Sequence, residues 1–238
     1  MKDKNEDIKH IVSFSGGKDS TAMLLMMLHK NMPIDEIVFC DTGMEFPGMY
    51  EHIHAVEYCI NRPITVLHPP HTFEYYLGHH IKVKGKLKGK KGYGWTGHMF
   101  RWCTGYLKIK VLQKYLKGKG DYYHYLGIAK DEEKRAERKE HKKEFIRFPL
   151  IEWGITEKQA LEYCYKEGFK WGGLYEKFNR VSCWCCPLQR IGELKTLYTD
   201  FPELWAELKR LDKLSYRQFR SDYSVEELEI KFKKLTKE

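Results

Sequence analysis

Ser13-Phe14-Ser15-Gly16-Gly17-Lys18-Asp19-Ser20-Thr21 gathers into nine residues the groups that bind a phosphate chain. Two adjacent glycines let the backbone turn tightly and present its N–H groups, and a helix opening there adds its positive end. Lys18 brings a mobile positive charge, Ser15 and Ser20 bring hydroxyl donors, and Asp19 brings a carboxylate suited to Mg²⁺. The loop is not a Walker A loop, because the glycine spacing and the Gly-Lys-Ser/Thr ending are absent. The plainer alternative is a strand–turn–helix junction that merely needs glycines.

A second group of reactive side chains lies downstream. Arg101-Trp102-Cys103-Thr104 precedes a helical pattern, and Arg180-Val181-Ser182-Cys183-Trp184-Cys185-Cys186-Pro187 follows about 80 residues on. Cys183 and Cys186 form a Cys-x-x-Cys step, whose tight loop brings two sulfurs onto one ion or cluster. Cys103 at a helix start is the natural third ligand, since nearby N–H groups and arginines favour its thiolate. Cys185 and His98 compete for the fourth position. Four readings stay open: inert buried thiols, a structural Zn²⁺, a [4Fe–4S] cluster with one iron left free to carry sulfur, and a disulfide redox pair. Cys40, Cys59 and Cys164 fall in strand or helix patterns and read as packing residues. His68, His71, His79 and His80 read as structural or exposed rather than as ligands.

These residues need elements to hold them. Ile11–Ser15 predicts a short buried strand that feeds the glycine turn, and a helix follows through His29 with Met23, Leu24, Met27 and Leu28 as its buried stripe. Glu36–Asp41, Ile64–His68 and Tyr122–Ile128 predict further strands, with helices over Tyr50–Ile60 and Thr104–Leu116. This alternation argues for an α/β fold, a parallel sheet flanked by helices. After Pro149 the pattern turns helical: Ile155–Glu167 with Thr156 as N-cap and Gly168 beyond its end, then Phe201–Leu214 and Val225–Leu235. The expected division is 1–150 for the nucleotide-binding domain and 151–238 for a small helical C-terminal region with the cysteines.

Composition narrows the class. The 238 residues are 42% hydrophobic and 32% charged, which excludes a disordered chain or a small disulfide scaffold. A net charge of +9 suits a polyanionic partner, nucleotide or nucleic acid. Lys82–Lys91 holds six lysines and two glycines in ten residues, followed by Tyr93 and Trp95. It reads either as a solvated hairpin or as a phosphate-tracking arm with stacking side chains. Lys130–Lys143 mixes Glu and Lys at helical spacing and reads as an exposed, salt-bridged face. No apolar run approaches the ~18 residues of a membrane span, and Met1–His10 is too polar for a signal peptide. Seven cysteines, an odd number, suit reduced thiols in a cytoplasm.

Ser15–Ser20 resembles the pyrophosphate-binding loop of the N-type ATP pyrophosphatases, the PP-loop superfamily. Phe39-Cys40-Asp41-Thr42-Gly43 with Glu45-Phe46-Pro47 is similar to the second-strand motif of the phosphoadenosine-phosphosulfate reductase branch. Leu126-Gly127-Ile128-Ala129-Lys130-Asp131-Glu132 is similar to that branch's Gly-Ile-Arg-x-Asp-Glu turn, with Lys130 displaced by two positions from the usual Arg. Phe148-Pro149-Leu150 before Trp153 resembles its Pro-Leu-x-x-Trp element. The likeness covers most of residues 9–190.

The resemblance implies a Rossmann-like sheet of about five strands, adenine nucleotide alpha hydrolase-like, with ATP across the carboxyl ends of the strands. It implies attack of an acceptor oxygen on the α-phosphorus, giving an adenylate and pyrophosphate. By motif position, Ser13, Ser15, Gly16, Gly17, Lys18, Asp19 and Ser20 hold phosphates and Mg²⁺, with Lys18 and Asp19 as the catalytic pair. Asp41 and Thr42 meet the adenosine, Gly127 and Ile128 line the other wall, and Lys130 reaches a phosphate. Relatives that transfer sulfur into tRNA or DNA often carry clusters on such a Cys-Thr plus Cys-x-x-Cys-Pro layout, so Cys103, Cys183 and Cys186 are the expected ligands.

Two departures separate the chain from a sulfonucleotide reductase. The Gly-Gly-Lys-Asp-Ser string, generally altered in those enzymes, is intact. No cysteine follows Cys186, where they carry a nucleophile in a Glu-Cys-Gly-x-His tail. The leading expectation is a cytoplasmic, ATP-dependent sulfurtransferase-like enzyme that adenylates a nucleic acid. Its partners would be ATP, the nucleic-acid acceptor and a sulfur donor such as a cysteine desulfurase, without a membrane and with room for a homodimer. Sulfonucleotide reduction is one alternative. A nucleotide-sensing or nucleic-acid-binding module with structural zinc is the other.

Overall fold

The computed structural model of the chain describes residues 8–138, 143 and 145–235. Residues 1–7 of the polar N-terminal segment and residues 139–142 of the Lys130–Lys143 stretch lie outside the described residues. The chain forms two compact units. One takes the chain up to Cys40, then Pro47–Leu67 and Val111–Leu174; the other takes Asp41–Phe46, His68–Lys110 and the chain from Tyr175 onward. The expected boundary at residue 150 follows chain order, whereas the contacts interleave the units. A unit that must bury its helices recruits partners from wherever the chain supplies them, and here the helix Lys18–His29 takes one from beyond residue 150.

The first unit is built on five parallel strands, β1 (Lys9–Ser13), β2 (Glu36–Cys40), β3 (Ile64–Leu67), β4 (Tyr122–Leu126) and β5 (Ile146–Arg147), in the order β3-β2-β1-β4-β5. Ile11 and Val12 in the central strand are fully buried, as expected of a strand covered on both faces. Helix α1 (Lys18–His29) buries Ala22, Met23, Leu24, Leu25 and Met27, nearly its whole girth, because α5 (Glu157–Lys166) packs on it as well. Helix α2 (Pro47–Ile60) opens on a proline, whose missing N–H costs nothing there. Helix α3 (Lys110–Leu116) follows a π-helical turn, Thr104–Ile109. The two run on without a break, so Thr104–Leu116 is helical throughout, as expected. Helix α4 is the single turn Pro149–Glu152. Thr156 caps α5 as expected: its hydroxyl accepts from the Gln159 N–H, and the Gln159 side chain accepts from the Thr156 N–H.

The strand order reverses beside β1. β2 and β3 lie on one side and β4 and β5 on the other, with Ser13 in register with Leu126. The loop leaving β1 and the turn leaving β4 therefore emerge next to each other at the carboxyl edge, where open α/β sheets bind ligands.

The second unit is mostly helical. After the short helix α6 (Leu174–Lys177) come α7 (Ile191–Asp200), α8 (Pro202–Asp212) and α9 (Val225–Leu235). Leu194, Leu197, Leu208, Leu228 and Phe232 form their fully buried seam. Trp95 is buried too, edge-on to Phe219, with its indole N–H on Asp212 at 2.6 Å. This overturns its reading as an exposed stacking residue: the ring has a core to fill and the N–H has a carboxylate to meet.

Candidate active site

The loop after β1 has the expected geometry. Gly16 turns at φ +78°, and Gly17 sits extended as the N-cap of α1. Ser20 closes the turn: its hydroxyl donates to the Gly17 carbonyl at 3.0 Å and accepts from the Ser15 N–H at 3.1 Å, with the Ser15 hydroxyl 3.0 Å away. Three residues remote in sequence brace this shape. The Trp171 indole N–H donates to the Gly16 carbonyl at 2.7 Å, the Cys164 thiol donates to the Lys18 carbonyl at 3.4 Å, and His52 meets the Thr21 hydroxyl at 3.0 Å while stacking on Trp171. Burial drives the His52 imidazole down to about 3, so it stays neutral. The Ser13 hydroxyl bonds His124 on β4 at 2.7 Å.

Gly127 is forced by close approach. A Cβ there would lie 2.8 Å from the Ser20 Cα and backbone N. Neither atom can yield without unwinding the start of α1. Gly127→Ala is expected to cost about 2 kcal/mol of stability, read as a lowered midpoint in urea; an unchanged midpoint would show that α1 can shift.

Lys18 and Asp19 sit at the head of a charged cluster. The Lys18 ammonium is 3.0 Å from Asp19 and 2.6 Å from Glu157. Carboxylate oxygens of Asp19, Glu132 and Glu157 lie within 4.8 Å of one another, a spacing one divalent cation can bridge. Burial pushes the Asp19 carboxyl up to about 6, against the pull of Lys18. Burial also lowers Lys18, but Asp19 and Glu157 outweigh it and hold the ammonium above the ordinary lysine value.

The raised Asp19 value has a consequence for stability. Between about pH 4 and 6 the native state keeps a proton that the unfolded chain has lost. Stability therefore falls as pH rises, and the whole loss, about 3 kcal/mol at most, is in place above pH 6. With EDTA present, Asp19→Asn is expected to melt higher than wild type at pH 7.5, and the gain should shrink toward pH 4. A gain independent of pH would contradict the assignment.

Other expected positions fare unevenly. Ile128 is 3% exposed. Lys130 pairs with Glu133 at 2.7 Å on the surface. Asp41 and Thr42 fall in the second unit. There Asp41 accepts from the Gly43 N–H at 2.8 Å, and buried Thr42 accepts from the Met44 N–H at 3.3 Å.

The second unit also holds Cys103, Cys183, Cys185 and Cys186. Cys183 and Cys186 close a turn, with the Cys186 N–H on the Cys183 carbonyl at 3.1 Å. Gln189 clamps this turn by donating to the Cys183 and Trp184 carbonyls, both at 3.0 Å. Arg220 holds its far end through the Pro187 and Gln189 carbonyls at 2.7 and 2.6 Å. Burial pushes the Cys183 and Cys186 thiols up, and the charge of Cys103 adds to both. Glu45 also raises Cys183, whose thiol faces it at 3.9 Å, while Arg101 and Arg180 pull Cys186 back. Thiols that resist ionising alone, and whose charges reach one another, suit a soft metal centre that supplies the missing positive charge. Cys185 is 1% exposed and His98 is exposed. The sulfurs do not come within 4.8 Å of one another as a group. Cys59 is exposed on α2 rather than packed: the buried stripe there runs Met49, Ile53, Val56, and Cys59 falls off it.

Residues 9–189 match the family model described as phosphoadenosine phosphosulfate reductase domain. Two uncharacterised proteins of Methanocaldococcus jannaschii are each 30% identical to the chain. One aligns over 86% of it and 42% of its own length, the other over 98% and 56%. The chain thus spans about half the length of the curated relatives it matches. The crystal structure of phosphoadenylyl-sulfate reductase from Candida auris, a phosphate complex, superposes with a TM-score of 0.53 at 18% identity, over 74% of this chain and 81% of that one. It shares the fold.

Proposed function

The chain belongs to the phosphoadenosine phosphosulfate reductase domain family, and from that premise we propose that it is an ATP-dependent enzyme that adenylates a nucleic acid and installs sulfur there. The observation that carries this reading is the Lys18 ammonium at the mouth of α1, set against Asp19, Glu132 and Glu157. A lysine with a divalent-cation seat suits a polyphosphate with a pyrophosphate leaving group. A sulfonucleotide has no such group and gives the carboxylates nothing to do.

In the proposed reaction an acceptor oxygen bonds to the α-phosphorus. The bond from that phosphorus to its bridging oxygen breaks, and pyrophosphate leaves with the electron pair. Sulfide-level sulfur then bonds to the activated acceptor carbon, and AMP leaves with the oxygen. The loop amides and Lys18 hold the phosphates and offset charge as pyrophosphate departs. Mg²⁺, when bound by the carboxylates, neutralises the leaving group. A [4Fe–4S] cluster, when held by Cys103, Cys183 and Cys186, supplies an iron position open to sulfur.

The family's own description favours a second reading, sulfonucleotide reduction. One assay separates the two. Protein prepared without oxygen is given ATP, Mg²⁺, sulfide and a nucleic-acid extract, or phosphoadenosine phosphosulfate and dithiol. Pyrophosphate and thiolated nucleic acid in the first mixture support the proposal. Sulfite in the second, with nothing in the first, overturns it.

A further inference from the structure

The basic arm is a built element of the second unit. Ile81 pairs antiparallel with Lys91, the Lys82 N–H donates to the Lys90 carbonyl at 3.0 Å, and the Gly89 N–H donates to the Lys82 carbonyl at 2.8 Å. The hairpin is tied to the π-helical turn Tyr75–His79 and its flank: the Gly92 N–H reaches the His80 carbonyl at 2.8 Å and the Tyr93 N–H the Tyr76 carbonyl at 2.9 Å. Gly92 sits at φ +63°, and a Cβ there would lie 2.2 Å from the Leu77 carbonyl oxygen. Only glycine makes this junction.

The hairpin and Tyr216–Arg217 border an open groove of about 470 Å³, also lined by Tyr93, Phe100 and Tyr106. That volume suits a nucleotide-sized guest. Its aromatic wall is ordered: the Tyr93 and Tyr106 rings lie 5.5 Å apart at 24°, with their hydroxyls hydrogen-bonded at 3.0 Å.

Lys82 is the unusual member. The arm's other lysines are exposed, but Lys82 is 7% exposed. Its ammonium donates to the Tyr216 hydroxyl at 2.8 Å and lies over the Tyr216 and Tyr93 rings, 4.4 and 5.8 Å from their centroids. Among the described residues no carboxylate pairs with it. A buried ammonium is costly without a counter-charge, and ring faces offset that cost only in part. An anion entering the groove completes the site.

We propose that this pocket seats one unpaired base of a single-stranded nucleic acid, stacked on the tyrosine wall, with a neighbouring phosphate on Lys82 and Arg217. The inference rests on the nucleic-acid acceptor proposed above and gives that acceptor a docking point. An unstacked base is required because a paired one hides its faces. Lys84 and Lys86 line the pocket as well, and exposed Lys88, Lys90 and Lys91 carry positive charge beyond that lining, further than one free nucleotide can use, as a strand backbone requires.

The test is fluorescence anisotropy with a labelled RNA or DNA single strand of about 12 nucleotides, a length that spans such a site. No ATP is added, so binding and adenylation are read apart. Tyr216→Ala, at an exposed position, is expected to weaken binding about tenfold while leaving the salt slope unchanged. Lys84→Ala with Lys86→Ala is expected to flatten the slope by about 1.4. Lys82→Met should weaken binding as well, and the exposed variants carry the test if it does not fold. Wild-type affinity and slope in the exposed variants would overturn the pocket. So would duplex binding as tightly as single strand, or AMP displacing the strand at equal concentration. Lost pyrophosphate release with intact strand binding would sink the adenylation reading and leave this one standing.

Discussion

Lys18→Ala is expected to cut pyrophosphate release from Mg·ATP by at least ~100-fold, the usual cost of removing one preorganised charge from a developing anion. The side chain is 10% exposed and lies between Asp19 and Glu157. Its loss removes a phosphate contact and leaves Asp19 and Glu157 without their ammonium partner. Substrate binding and chemistry should therefore suffer together. Two readouts separate this from misfolding. The variant should keep the wild-type far-ultraviolet circular dichroism, and it should lose the rise in melting temperature that Mg·ATP gives the wild type. Turnover in the wild type should also fall as pH drops through about 6, the range in which Asp19 takes up its proton. Accumulation of orthophosphate in place of pyrophosphate would refute the α-phosphorus attack, whatever Lys18→Ala does.

The loop was legible because it is local. A strand, two glycines and a helix start lie in one contiguous stretch, and their spacing carries the geometry. Its supports were not legible. Glu157 reaches Lys18 across 139 residues and Trp171 reaches Gly16 across 155. Neither residue type is unusual where it stands, so only the fold reveals that α5 delivers a carboxylate and the following turn an indole. The fifth strand escaped for a different reason: two residues, Ile146–Arg147, are too few to display a period. The burial of Trp95 is not legible because glycines and lysines surround it, and chain neighbours do not report what a ring packs against. The interleaved units have the same origin. Residue 150 marks a change in pattern, but α5 beyond it packs on α1 of the first unit. The cysteines were half legible. Cys183 and Cys186 announce themselves by spacing, whereas Gln189 and Arg220, which hold their turn, have no motif.

Cys103→Ser is expected to abolish the brown colour of protein isolated without oxygen, while Cys59→Ser keeps it. The two substitutions are chemically identical and differ in surroundings. Cys59 is exposed on α2 of the first unit, whereas Cys103 shares the second unit with Cys183 and Cys186 and raises both of their thiols. Burial contributes most to each of those shifts. A buried set of mutually repelling thiolates is unfavourable until a cation or cluster draws the protons off, so binding and ionisation occur together. Removing one sulfur leaves too few ligands to hold the centre. The loss should appear in the visible spectrum, in iron and sulfide content, and in a melting temperature that no longer depends on reconstitution. Exposure to air should bleach the wild type and leave Cys103→Ser unchanged. A colourless anaerobic preparation carrying stoichiometric zinc would sink the cluster and most of the case for sulfur transfer. The adenylating chemistry would survive that result, because it rests on Lys18, Asp19 and the carboxylates around them rather than on the cysteines.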